Sequence, residues 1–167
     1  MNKLFSTLLI FSFVIAIPIT VSAQRNPAKS ADEAFSKQQY SLAIDKYKKA
    51  YTKVKKNKEE KNRITAQLAE CYRLTGNFKR ASISYKRLIK NDYDKRNPEL
   101  LLHYANMLKM TGNYDEAINQ YNAYALRVPE DPRGVNGAES TALIEEWIAN
   151  PSKYEVTNVK KIKSREA

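Results

Sequence analysis

The sequence predicts an all-α fold: a solenoid of about three stacked helical hairpins, one further helix that caps it, and a short C-terminal β-strand. The first reason is internal repetition. The segment from Leu68 to Tyr93 (LAECYRLTGNFKRASISYKRLIKNDY) aligns with that from Tyr104 to Pro129 (YANMLKMTGNYDEAINQYNAYALRVP) at an offset of 36. Gly76-Asn77-Phe78 falls on Gly112-Asn113-Tyr114, Ala81 on Ala117 and Tyr85 on Tyr121. The second reason is helical spacing. In each copy a small residue and an aromatic stand four apart, on one face of a helix.

The first hairpin is the least regular. Its copy, FSKQQYSLAIDKYKKAY (Phe35 to Tyr51), keeps Tyr40, Ala43, Tyr47 and Ala50 in the aromatic, alanine, aromatic, alanine order. It lies 38 residues ahead of the second copy and has Gln38 where the others have glycine. A terminal repeat is commonly atypical, so the departure fits. In the second and third hairpins Gly76 and Gly112 mark the end of the leading helix, because glycine accepts the left-handed conformation a helix C-terminus needs. The alanines let paired helices approach closely, and the tyrosines fill the space toward the next hairpin. Pro98 suits the first turn of the third hairpin, and Pro129 closes it.

Residues 138 to 149 (AESTALIEEWIA) read as one more amphipathic helix. Ala142, Leu143, Trp147 and Ile148 would face inward, and Glu139, Glu145 and Glu146 outward, so that the helix caps the array. Asn150-Pro151 breaks it. The β-branched run from Tyr154 to Ile162 (YEVTNVKKI) then reads as a strand.

At the other end, Met1-Asn2-Lys3 is followed by an uncharged apolar run over residues 4 to 22 and by Val21-Ser22-Ala23. That is the pattern of a secretory signal peptide cleaved after Ala23. The expected organisation is a signal peptide at 1–23, the repeat array with its capping helix at 28–149, and a strand or linker at 150–167. The full chain carries 29 Lys+Arg against 18 Asp+Glu. Cleavage would remove only Lys3, leaving a net +10 (28 against 18). Such an excess permits anionic lipid, acidic protein or nucleic acid as partners, and export argues against the last. The lone cysteine, Cys71, cannot form an intrachain disulfide, so the core must hold the fold.

The repeat resembles the tetratricopeptide-repeat (TPR) family. Leu101, Ala105, Leu108, Gly112, Tyr114, Ala117, Tyr121 and Pro129 fit its motif in the third copy, with Tyr124 in place of the last alanine. Leu68, Ala69, Tyr72, Gly76, Phe78, Ala81 and Tyr85 fit it in the second, with Leu88 in that place. The resemblance implies a protein-binding scaffold that recognises its partner on the concave face made by the first helix of each hairpin. On this chain that face would comprise Phe35, Arg63, Glu70, Arg73, Asn106, Lys109 and Met110. Tyr47, Tyr72, Tyr85, Tyr104, Tyr114 and Tyr121 fall on packing positions and are expected in the core. The tail PSKYEVTNVKKIKSREA resembles the entry strand of the β-propeller in PorE-like envelope proteins of Bacteroidota. Those join a TPR array to a propeller and an OmpA-like domain and serve type IX secretion and gliding. That likeness implies an adaptor in the periplasm or outer envelope, with peptidoglycan bound only through a C-terminal domain beyond this chain.

No catalytic constellation is visible. His103 is the single histidine and has no nucleophile in its motif. Cys71 sits where a packed small residue is expected, no phosphate loop is present, and no metal-ligand spacing occurs. The expectation is therefore a non-enzyme without cofactor or small-molecule substrate. SusD-like glycan capture and a chaperone for exported chains are the alternatives. The basic run from Lys53 to Arg63 reads as a solvated helix end and loop.

Overall fold

A computed structural model describes residues 26–151; the signal-peptide expectation (1–23) and the strand expected from Tyr154 to Ile162 both lie outside them. Within that span the chain forms α1 (Lys29–Ser36), α2 (Tyr40–Lys53), α3 (Lys58–Leu74), α4 (Phe78–Lys90), a 3₁₀ turn (Tyr93–Lys95), α5 (Glu99–Met110), α6 (Tyr114–Arg127) and α7 (Arg133–Ala149). Each helix packs chiefly on its sequence neighbours, giving the hairpins α1/α2, α3/α4 and α5/α6, with α7 laid on α6 and touching α5. The fold is the expected all-α repeat solenoid.

The three turns share one mechanism. Each leading helix ends with a residue at positive φ: Gln38 at 58°, Gly76 at 73° and Gly112 at 78°. The same two backbone bonds close each end: Gln39 N–H to Ala34 O and Gln38 N–H to Phe35 O, Asn77 to Tyr72 and Gly76 to Arg73, Asn113 to Leu108 and Gly112 to Lys109. This is the 6→1 and 5→2 pair of a Schellman end. Gln38 thus stands in the glycine place and adopts the glycine conformation. Asn57 and Asn77 then cap α3 and α4, accepting from the backbone N–H of Glu60 and Arg80.

The core runs as one cluster through all three hairpins. Ala43, Ala81 and Ala117 are wholly buried, as are Tyr47, Tyr85 and Tyr121 within about 2 %. Tyr72 and Tyr104 are buried too. Tyr114 is only half-buried at the start of α6. Leu88 and Tyr124, which replace the closing alanine, are both buried. Cys71 is a buried free thiol.

The capping helix departs from expectation. It starts at Arg133 rather than at residue 138, and its packing face is Gly134, Ala138 and Thr141. The glycines explain why. A Cβ at Gly134 would come within 2.9 Å of Ala125 Cβ, and one at Gly137 within 2.5 Å of the Tyr121 ring. Helix α7 therefore seats backbone-close on α6 through small residues. The larger apolar side chains assigned inward, Leu143, Trp147 and Ile148, are exposed at 48 %, 67 % and 62 %, and Ala142 is exposed as well. Glu139 and Glu146 are exposed as expected, and Glu145 is half-buried.

Candidate functional site

One hydrogen bond recurs in every hairpin. The core tyrosine of the second helix donates its hydroxyl to the residue fifteen positions earlier on the first helix. Tyr47 donates to Asp32 at 2.7 Å, Tyr85 to Glu70, and Tyr121 to Asn106. The tyrosine ring is needed for packing, its hydroxyl needs a partner once buried, and the first helix supplies an acceptor. Asp32, Glu70 and Asn106 are thus equivalent positions facing the first-helix side, and the third is the only neutral one.

That difference sets the electrostatics of the face. Burial works to raise the pKa of Glu70. The Arg73 and Tyr85 hydrogen bonds and the Arg73 charge outweigh it and hold the carboxyl below its ordinary value. Asp32 is held down similarly, against burial, by Arg63 and Tyr47. Conversely, burial and the neighbouring carboxylates push the Tyr47 and Tyr85 hydroxyls far up, so they remain donors. Arg63 is committed to Asp32 at 3.1 Å and to Glu60 at 2.8 Å, and Arg73 to Glu70 at 2.7 Å. The first two hairpins therefore satisfy their own charges on this side.

The third does not. Lys109 stands where Arg73 stands one repeat earlier, but the residue three before it is Asn106 instead of a glutamate. Its ammonium donates to Ser140 Oγ of α7 at 2.9 Å and has no carboxylate partner among the described residues. Asn106 accepts from Tyr121, which leaves its amide N–H groups free to donate. Together with Leu102, His103, Arg133 and Asn136 these residues line a cleft of about 390 Å³ between α5 and α7. His103 lies stacked on Tyr85 with ring centroids 5.9 Å apart, and burial pushes its pKa down. At the mouth, Arg133 bridges Glu99 at 2.8 Å and Asp131 at 2.6 Å.

Of the seven residues expected on the recognition face, Asn106 and Lys109 lie in this cleft. Met110 follows them at the end of α5, 59 % exposed. Arg63, Glu70 and Arg73 sit on the same side but in internal ion pairs. Phe35 is engaged edge-to-face with Tyr40 at 5.5 Å and packs against the core. Of the α7 contributions, Arg133 and Asn136 lie ahead of the helix start expected at residue 138, and Ser140 falls off the face (Ala142, Leu143, Trp147, Ile148) that its apolar pattern turns inward. The signal that could have found them is Asp131-Pro132, an N-terminal helix opening; the Asp131 carboxylate accepts from the Arg133 backbone N–H at 2.9 Å. Burial pushes the Cys71 thiol up to about 11, so it carries no thiolate at neutral pH.

The architecture is that of a TPR domain. The C-terminal TPR-containing domain of a putative FK506-binding protein of Plasmodium falciparum superposes on it with a TM-score of 0.59 and 22 % identity, covering 73 % of this chain and 87 % of that one. At that identity the likeness is one of fold. No family model and no curated protein sequence matches the chain.

Proposed function

We propose that the chain is a non-catalytic adaptor of the cell envelope, exported by its N-terminal segment, whose α5/α7 cleft holds an acceptor-rich segment of a protein partner. A TPR-type solenoid is in general a protein-interaction scaffold. The observation that carries the finer reading is the pair Asn106 and Lys109. Their equivalents Glu70 and Arg73 neutralise each other, whereas these two present an amide and an ammonium to a cleft. Burying them under a partner would be costly unless the partner brought carbonyl or carboxylate oxygens. The cleft is short and open, suited to a few residues of an extended chain.

The test is site-specific crosslinking in living cells, with a photoreactive residue at position 140 beside the cleft and, for contrast, at position 73. The expected result is one dominant protein adduct from position 140, lost when Lys109→Glu is added, and little from position 73. Equal labelling from both positions would overturn the cleft assignment. A ladder of unrelated adducts would favour the chaperone reading. Export is tested separately: the mature protein should be recovered from the envelope fraction with Gln24 as its first residue.

A further inference from the structure

We infer that the outer face of the first two hairpins, formed by α2 and α4, docks on an anionic lipid surface. The charge is not spread evenly. Residues 26–96 carry 19 Lys+Arg against 8 Asp+Glu, whereas residues 97–151 carry 3 against 8. On α4, with Ala81, Tyr85 and Leu88 turned to the core, the opposite side presents Lys79, Arg80, Arg87 and Lys90. On α2, with Ala43, Ile44, Tyr47 and Ala50 inward, it presents Lys48 and Lys49 on either side of the exposed Asp45. All six are exposed. None of them is in an ion pair among the described residues; the pairs of residues 26–96 are made by Arg63, Arg73, Lys86, Lys95 and Arg96. The frame does not demand these cations. The positions of the four α4 residues one repeat later are Asp115, Glu116, Ala123 and Leu126.

Three features say what such a face fits. Its cations are mostly lysines. Lysine is a hydrated, mobile point charge, while specific recognition of carboxylate or phosphate in proteins favours the planar fork of arginine. Two aliphatic side chains stand among them, Leu42 at 45 % and Ile83 at 55 % exposure. This is the mixture of cationic rim and shallow apolar contact that suits a headgroup layer. Finally, the furrow between α2 and α4, floored by Thr65 and Leu68, measures only about 280 Å³. That is below the usual range of a ligand pocket. The face is built to meet a surface, by charge complementarity with anionic headgroups, and this orientation leaves the first-helix side open.

The experiment is co-sedimentation of the full chain with vesicles of pure phosphatidylcholine and of phosphatidylcholine with about 30 % phosphatidylglycerol, an anionic lipid. The quantity read is the anionic excess, because any apolar contribution from residues 1–25 is common to both vesicles. Each lysine near an anionic surface contributes about a fivefold gain in partitioning. The variant Lys48→Gln/Lys49→Gln/Arg87→Gln/Lys90→Gln should therefore lower the excess on the order of several hundredfold, and raised salt should lower it too. Circular dichroism checks that the variant stays folded. Asp115→Lys/Asn122→Lys, which extends the stripe onto α6, should raise the excess instead. Equal binding to both vesicles, retention of the excess by the fourfold variant, or binding only to an acidic protein or a polynucleotide would each overturn the inference.

Discussion

The second and third hairpins share a frame and differ in almost everything that frame displays. Both end their first helix on a glycine at positive φ, both bury the same alanine and tyrosine of the second helix, and both tie that tyrosine to the first helix fifteen residues back. Outside those positions the chemistry inverts. The second hairpin has Glu70 and Arg73 paired on one side and, on the other, a cationic stripe without ion pairs among the described residues. The third has Asn106 and Lys109 open to a cleft on one side and Asp115 and Glu116 on the other. The lesson is that packing positions in such a solenoid fix the architecture, while the equivalent surface positions are free to carry unlike functions a short distance apart. Lys86 and Glu116 meet at 3.2 Å where the basic and acidic regions join.

The largest effects should come from the shared frame. Tyr85→Ala removes a fully buried ring and its bond to Glu70, and should cost about 3–5 kcal/mol of unfolding free energy by denaturant titration. Tyr85→Phe keeps the ring but leaves the half-buried Glu70 carboxylate short of a donor, a cost of roughly 1.5–3 kcal/mol. Tyr121→Phe opposes a neutral amide and should cost about 1 kcal/mol. Equal losses in the two phenylalanine variants would show that the charge difference between the hairpins has no energetic consequence.

Next is the seat of α7, which only the third hairpin has. Gly137→Ala drives a Cβ into the Tyr121 ring, and overpacking of this kind costs roughly 1–3 kcal/mol. Hydrogen exchange should show α7 amides losing protection while α1 to α4 keep theirs. Uniform loss of protection would mean that α7 belongs to the same cooperative unit as the first hairpins.

Most of the frame could be read from the residues and little of the site could. Gly76, Gly112 and the alanine–tyrosine pairs report backbone conformation and close packing, which are local demands with few solutions. Asn106 and Lys109 lie on α5, the first helix of their hairpin, but nothing in their own segment tells that Asn106 replaces an acid. That appears only when Asp32, Glu70 and Asn106 are aligned as acceptors of Tyr47, Tyr85 and Tyr121. The α7 error has another physical origin. The apolarity of Trp147 and Leu143 points them inward, whereas the helix needs backbone proximity and meets it with Gly134 and Gly137. The split of charge between the hairpins is present in the sequence, but only the helix faces show that the cations gather on one side without ion pairs among the described residues.

A smaller effect should come from the turn of the first hairpin. Gln38 holds φ at 58°, a conformation that costs a residue with a Cβ roughly 1–2 kcal/mol and glycine nothing comparable. Gln38→Gly should raise stability by about 1 kcal/mol, read as a higher denaturant midpoint with an unchanged slope. A loss of stability would mean that the unfolded chain's added freedom outweighs the relief of strain, and that the first turn differs in kind from the other two.

The smallest change in stability carries the sharpest test of the comparison. Asn106→Glu gives the third hairpin the acceptor of the second and sets a carboxylate three residues before Lys109, as Glu70 is before Arg73. The gain should be about 0.5 kcal/mol, the scale of a partly exposed pair. The introduced carboxyl would then be held below its ordinary pKa by Tyr121 and Lys109, as Glu70 is by Arg73 and Tyr85. A depressed carboxyl stabilises the fold above its unfolded pKa, and the gain disappears as pH falls through the folded one. The variant should therefore outlast the native chain at pH 7 and lose that margin below about pH 4. The same substitution neutralises Lys109 and fills the cleft with an acceptor, so the adduct from position 140 should vanish at neutral pH. If the adduct persists while the fold gains its acid-sensitive margin, the partner does not rely on the open Asn106–Lys109 pair, and the functional contrast between the two hairpins lies in α7 instead.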